Sequence, residues 1–359
     1  MYVSKQEGEQ PQTVSPSHSQ MNLRKLISGI LLTAAGIAMS AQDGSIAYEF
    51  LNTTSSTRIY GLGGINITTI DGFLGSADQN PGLLGGEMDN QLLVNYMRYL
   101  GDSNFAGIRY ARAAGEYGAW AVGIQYYGYG AIKGADENGI LTGEFSPKDV
   151  SFSGTYAHDI TDRLRGGATL KMIYSGYEQY SAFAVATDLG INYYDEERDL
   201  SLSFVAANLG GQVKRFRDRY DRLPFDLRLG WSQSFGTLPI RFSITAWNLT
   251  KWHLPYYDPG DGTAQTEPTE KDSFSSNLFR HLIFGADFTP SDKFYVTLAY
   301  NYKTRTDMST YSRSFLSGFS LGAGLNVDKF GIGLAFAQPH TGATTFMVNL
   351  RLDINDFIY

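Results

Sequence analysis

Apolar and polar residues alternate with a period of two through most of the chain after residue 220. Phe225, Leu227, Leu229 and Trp231 alternate with Asp226, Arg228, Gly230 and Ser232. Ile240, Phe242 and Ile244 alternate with Arg241, Ser243 and Thr245. Phe319, Leu321, Ala323, Leu325 and Val327 alternate with Ser320, Gly322, Gly324 and Asn326, and Phe346, Val348, Leu350 and Leu352 repeat the pattern. Successive side chains of a strand point to opposite faces, so this period predicts strands with one greasy face and one polar or very small face.

A soluble β-sandwich and a membrane barrel both alternate in this way. Two features favour the barrel. The segments run to about 9–12 residues, the length a tilted transmembrane strand needs. Tyr, Phe and Trp also gather near segment ends, at Trp120 and Tyr129, Tyr193 and Tyr194, Trp247 and Trp252, and Tyr300 and Tyr302. Such rings suit the headgroup level, where the ring body is buried and its polar tip stays wet. Composition agrees. Charged residues make up 18% of the 359, against about 25% in an ordinary soluble domain, while aromatics reach 14% and Gly numbers 40.

Fourteen strands are expected: near 91–100, 104–113, 118–129, 148–158, 164–174, 182–194, 200–208, 225–235, 240–252, 278–288, 294–302, 315–327, 330–338 and 344–352. Short connections (Asp159–Arg163, Asp195–Asp199, Gly236–Pro239, Thr289–Lys293, Asp328–Lys329) alternate with long ones (Gly130–Pro147, Leu209–Pro224, Leu254–Asn277, Lys303–Ser314). Short periplasmic turns and longer outer loops are the outer-membrane arrangement. The fold class expected is therefore all-β, a 14-stranded antiparallel transmembrane β-barrel over residues 91–359.

Residues 21–41 read as a secretory signal peptide. Arg24 and Lys25 precede the apolar run Leu26–Ala38, and Ala38-Met39-Ser40-Ala41 offers small residues for cleavage. The run is too short to span a bilayer. Residues 1–20, polar and rich in Ser, Gln and Pro, read as an upstream over-read ahead of a start at Met21.

Residues 42–90 alternate poorly and read as a plug folded into the barrel mouth. They carry Arg58-x-x-Gly61-x-Gly63-Gly64 and, some twenty residues on, Asn80-Pro81-Gly82, a turn signal. A phosphate-cradling loop is disfavoured, because no Lys-Ser/Thr follows the glycines.

This order of motifs resembles the hatch of the FadL-like outer-membrane family. Five stretches carry the resemblance: YEFLNTTSSTRIYGLGG (48–64), NPGLLGGEMDNQLLVNY (80–96), GIQYYGYG (123–130), LPFDLRLGWSQSF (223–235) and RFSITAWNLTKWHLP (241–255). Within that family the chain looks like the barrel components of the type IX secretion system of Bacteroidetes. The resemblance implies a cell outer-membrane protein of the attachment complex. Its implied partners are the surface protein PorZ, the sortase PorU and the barrel protein PorV, in a complex that joins cargo to lipopolysaccharide. The chain departs from the pattern after Leu352, continuing as Asp-Ile-Asn-Asp-Phe-Ile-Tyr.

Other chemistries lack support in the sequence. The net charge of −7, without a basic helix, argues against nucleic acid as partner. Cysteine is absent, which removes disulfides, thiol nucleophiles and Cys-based zinc sites. No catalytic residue, metal or cofactor is assigned. Asp195, Glu196, Glu197 and Asp199 read as a solvated turn, and Asp258-Pro-Gly-Asp-Gly as turn chemistry. Partner-binding candidates lie on the long loops. Lys214, Arg215, Arg217, Arg219 and Arg222 form a basic run that suits either local pairing with Asp218 and Asp221 or an anionic surface such as lipopolysaccharide. Trp252, Tyr256 and Tyr257 are candidate aromatic anchors, and Trp252 fits the membrane interface equally well. Inward-facing Gly322, Gly324, Gly331, Gly333, Ala335 and Ala337 leave room for a close approach, by the plug or another backbone. The other function considered is FadL-like transport of a hydrophobic small molecule, which needs an apolar pocket behind a movable plug and a lateral opening.

Overall fold

The computed structural model describes residues 48–135, 141–216, 220–235, 238–254, 273–291, 293–307, 316–327, 329–340 and 343–355. The leader stretch and the segment before it lie outside these residues.

The strands in chain order are β1 (Gln91–Arg98), β2 (Asn104–Ala113), β3 (Gly118–Gly128), β4 (Ile132–Ala135), β5 (Leu141–Phe145), β6 (Lys148–Thr161), β7 (Leu164–Tyr177), β8 (Tyr180–Asp195), β9 (Leu200–Lys214), β10 (Asp226–Ser234), β11 (Ile240–Ala246), β12 (Leu282–Ser291), β13 (Phe294–Asn301), β14 (Phe319–Val327), β15 (Phe330–His340) and β16 (Ala343–Asp353). All but β4 and β5 form one closed antiparallel barrel of fourteen strands, each beside its chain neighbour, with β4 and β5 paired as a separate hairpin. Closure is made by β1 on β16, from Gln91 opposite Asp353 to Arg98 opposite Phe346. A closed ring satisfies the backbone of every wall strand without water, the condition a bilayer imposes. No described helix is long and apolar enough to cross a membrane.

The alternation maps onto the two faces of this wall. Leu298, Leu321, Ile332, Leu334 and Phe346 are exposed on the outside. Arg109, Arg228, Asp226, Asn192, Thr297 and Asn349 are buried inside. An apolar skin of this extent is stable only against lipid. Tyr96, Tyr126 and Tyr174 stand on the outside at one level, linked in register through Ala106 and Val150. Trp120 and Tyr156, directly opposite each other, stand nearer the other end, with Tyr110 in ring contact at 5.9 Å.

Several boundaries differ from expectation. Strands β6 to β9 run 14, 14, 16 and 15 residues, which at ~3.3 Å per residue is more than a tilted span requires. The loop expected from Leu209 is strand as far as Lys214. A bulge absorbs the misfit: the register shifts between Thr187 and Leu189, Asn208 takes φ 57°, and Asp188 Oδ1 accepts the Asn208 N–H at 2.7 Å. Strand β11 ends at Ala246 rather than at residue 252. Beyond it Asn248 takes φ 55°, and Trp247 packs with Ile65, Ile283 and Ala299 on the lumen side. Tyr129 likewise faces inward, its hydroxyl donating to Asp149 at 2.5 Å, so neither ring belongs to a lipid belt. The strand expected from residue 278 begins at Leu282, because Phe274–Arg280 is helical.

Candidate functional site: a fixed plug and the long-loop rim

Residues 48–90 lie against the inward face of the wall. Their one α-helix, α1 (Thr57–Gly61), starts where Ser56 Oγ accepts the Ile59 N–H at 3.3 Å. It stops because Gly63 and Gly64 take φ 96° and 85°, a region that favours glycine. The wall is notched where α1 sits. A methyl group on Gly61 would lie 2.6 Å from Gly322 N, and one on Gly322 would lie 3.0 Å from Thr57 O. Ser320 Oγ donates to the Gly61 carbonyl at 3.0 Å, and the Thr57 and Tyr295 hydroxyls meet at 3.2 Å. The small residues of β14 therefore accommodate the backbone of the RxxGxGG motif.

Asn80 and Pro81 dock on the opposite wall. Asn80 Nδ2 donates to the Ile67 carbonyl at 2.9 Å and to Ser203 Oγ at 3.2 Å, and its Oδ1 accepts the Gly82 N–H at 2.9 Å. Pro81 lies over two further notches: a methyl on Gly190 would come 2.9 Å from Pro81 Cδ, and one on Gly167 3.0 Å from Gly82 N.

Charged pairs fix the plug laterally. Arg58 donates to Asp287 Oδ2 from Nε at 2.7 Å, to Thr289 Oγ1 from Nη2 at 3.0 Å and to Asp71 Oδ2 from Nη1 at 3.2 Å, and its guanidinium lies 4.7 Å from the Tyr295 ring centre. Burial opposes the charged guanidinium, but Asp287 and Asp71 outweigh it and hold Arg58 above its ordinary range. Burial raises the Asp71 carboxyl, while Arg58 and the Ser76 hydroxyl pull it back. Arg109 of β2 pairs with Asp78. Arg228 of β10 reaches Gln79 at 2.8 Å and Asn52 at 2.7 Å, braced by Asp226 at 2.9 Å. Arg165 of β7 holds Glu87 at 2.8 Å and Asp159 at 2.5 Å. Of these groups, sequence reasoning singled out only Arg58. Asp226 and Arg228 were visible as members of a polar face, but pairing across strands far apart in the chain has no one-dimensional signal.

Two cavities flank α1. The larger, about 910 Å³, opens at the short-turn end and is lined by Arg58, Asp71, Arg198, Arg241 and Asp287 among others. The smaller, about 300 Å³, lies toward the long loops and is lined by Tyr60, Ile65, Tyr99, Trp247 and Phe319 among others. One short helix thus turns Arg58 to the first and Tyr60 to the second.

The loop candidates are only partly described. Arg215 lies over the Tyr220 ring at 5.3 Å, while Arg217 and Arg219 lie outside the described residues. Trp252 is 40% exposed, stacks on His281 at 5.4 Å and 19°, and touches Phe274 at 5.2 Å. Tyr256, Tyr257 and the Asp258–Gly262 run lie outside the described residues. The acidic turn is paired with arginines: Asp195 and Glu197 with Arg163, both at 3.4 Å, and Asp199 with Arg241. Among the described residues no His, Asp or Glu cluster is suited to a metal ion.

No protein-family model matches the chain, and no curated protein matches it by sequence. Solved structures do match. The toluene transporter TbuX of Ralstonia pickettii aligns over 84% of this chain and 98% of its own, at 13% identity and a TM-score of 0.51. A deltaS2S3 mutant of TodX, the monoaromatic hydrocarbon channel of Pseudomonas putida, aligns over 83% and 97%, at 10% identity and 0.50. A FadL homologue of Pseudomonas aeruginosa aligns over 86% and 99%, at 12% identity and 0.49. At these identities TbuX and TodX bear on architecture alone: the chain has the FadL-like fold, a closed fourteen-stranded barrel with its N-terminal segment inside.

Proposed function

We propose that this protein is a non-enzymatic outer-membrane anchor, a PorQ-like barrel of the type IX attachment complex. In that role it holds PorZ at the cell surface, near the sortase PorU and the barrel protein PorV, for cargo maturation and attachment to lipopolysaccharide. The short-turn end then faces the periplasm and the long loops face outward. The observation that carries this reading is the fixation of the plug. Glycine notches on opposite walls and buried pairs from Arg58, Arg109 and Arg228 hold it. A transporter needs a plug that yields, whereas a scaffold gains from one that does not. The sequence stretches quoted above supply the specific assignment. The membrane assignment draws on the outward apolar skin and on the likeness to FadL-like barrels.

The second reading is uptake of a small hydrophobic molecule. The mainly apolar 300 Å³ cavity above α1 favours it, as does the fold shared with a toluene transporter. Affinity purification of the tagged protein from detergent-solubilised outer membrane separates the two. Recovery of PorZ or the sortase supports the anchor. Their absence, with a stoichiometric apolar ligand seen by native mass spectrometry, replaces it with the transporter.

A further inference from the structure

The helix α2 (Phe274–Arg280) is built inside out. Its larger polar residues Asn277 and Arg280, one turn apart, face the protein and are buried, while the small Ser275 is exposed, and Arg280 Nη1 donates to the Leu254 carbonyl at 2.7 Å. Its apolar residues Phe274, Leu278 and Phe279 are exposed, Phe274 to 69%. A surface helix in water shows the reverse order. The barrel wall has this same inversion, and there lipid is the cause.

Ring contacts place the helix against the outside of that wall. Phe279 lies 6.2 Å from Phe284, which shares the outward face of β12 with Leu282, Ala286 and Phe288. Phe279 also meets Tyr302, again at 6.2 Å. Trp252 extends the patch through Phe274. It is held there by buried His281, whose ring nitrogens lie 2.9 and 3.0 Å from the Trp247 and Trp252 carbonyls.

We infer that α2 and Trp252 form an interfacial anchor lying at the headgroup–acyl boundary of the leaflet on the long-loop side, and that lipid covers this face. The apolar face of α2 continues the lipid-facing surface at Phe284 without a break. The helix also turns its only cation, Arg280, inward. Phe, Leu and Trp are the side chains that settle at this depth. The inference needs only a barrel in a bilayer and stands under either reading of function.

The absence of cysteine makes the test clean. A nitroxide is placed on Ser275→Cys, on the exposed side of α2, in the purified protein in lipid nanodiscs without partners. Collision rates with oxygen and with a water-soluble nickel chelate are then measured. Leu298→Cys on the outer wall is the lipid reference and Asp102→Cys on the β1–β2 turn the water reference. All three sites are exposed, and heat-modifiable gel migration checks the barrel in each variant. The expected result is a nickel collision rate several-fold below that at Asp102, with oxygen collision approaching that at Leu298. A Ser275 label as open to nickel as the Asp102 label overturns the inference and makes the patch a face that stands in water awaiting a protein.

Discussion

Replacing Arg58 with Met tests whether the plug is fixed by its buried charges. The substitution keeps most of the side-chain volume but leaves Asp287 and Asp71, each with a side chain about 5% exposed, without their cation. Breaking one side of a buried pair costs about 3–5 kcal/mol, because the surviving charge has lost its solvation and its partner. At 1.36 kcal/mol per factor of ten, this is roughly a 150- to 5,000-fold rise in exchange through local opening. Hydrogen–deuterium exchange of the protein in nanodiscs should show this rise at the amides of residues 57–64, with the β6 and β7 amides unchanged. The triple variant Arg58→Met, Asp71→Asn, Asp287→Asn should recover to within about tenfold of the parent, since neutralising the whole group is often close to neutral. The sign with pH follows from Asp71. Burial raises its carboxyl and Arg58 counters that; without Arg58 the folded state takes up a proton more readily than the opened state. The defect of the single variant should therefore shrink as pH falls toward the raised value. A change below tenfold in the single variant, or equal loosening of plug and wall strands, refutes the argument.

Other expectations follow from the same geometry. Gly61→Val should unseat the plug, because its side chain would meet Gly322 backbone atoms from 2.6 Å outward; bilayer conductance or exchange at residues 57–64 reads the effect, while Gly64→Asn, at φ 85° in open space, should cost about 1 kcal/mol or less. Asn80→Ala removes three hydrogen bonds and should loosen residues 66–84 by about 1–3 kcal/mol, seen as faster exchange there. Leu298→Arg, on the outer face of β13, should cost about 2–4 kcal/mol of unfolding stability in a bilayer and far less in detergent micelles; equal effects in both would remove lipid from that face. Replacing Lys214, Arg215, Arg217, Arg219 and Arg222 with Gln should weaken partner recovery more at low salt than at high salt; unchanged recovery at both frees the basic run of any binding role.

The wall was largely legible because it is written in a local code. Each apolar residue at 321, 325 and 327 faces lipid through its position in a strand, and a period of two needs no distant information. Local preference is overruled at three places. The Asn208-Leu209-Gly210-Gly211 run reads as a turn, yet the Asp188 carboxylate captures the Asn208 amide and keeps the strand going. The strand expected to run on to residue 252 stops at Ala246, where the alternation slips, and Trp247 finds Ile65, Ile283 and Ala299 and turns inward. Phe274–Arg280 forms a helix in a stretch whose end was read as strand.

The chain's alternation by itself determined a greasy-outside cylinder of fourteen strands, since backbone groups in lipid must pair in a closed ring. The RxxGxGG and Asn-Pro motifs likewise marked where the plug would bend. Only the folded chain decided what those motifs touch. Gly61 meets Gly322 across 261 positions of sequence, and Arg58 meets Asp287 across 229. Such pairings depend on steric fit and on the cost of leaving a charge alone in a dry interior. Both are properties of the assembled lumen, and neither strand period nor composition encodes them.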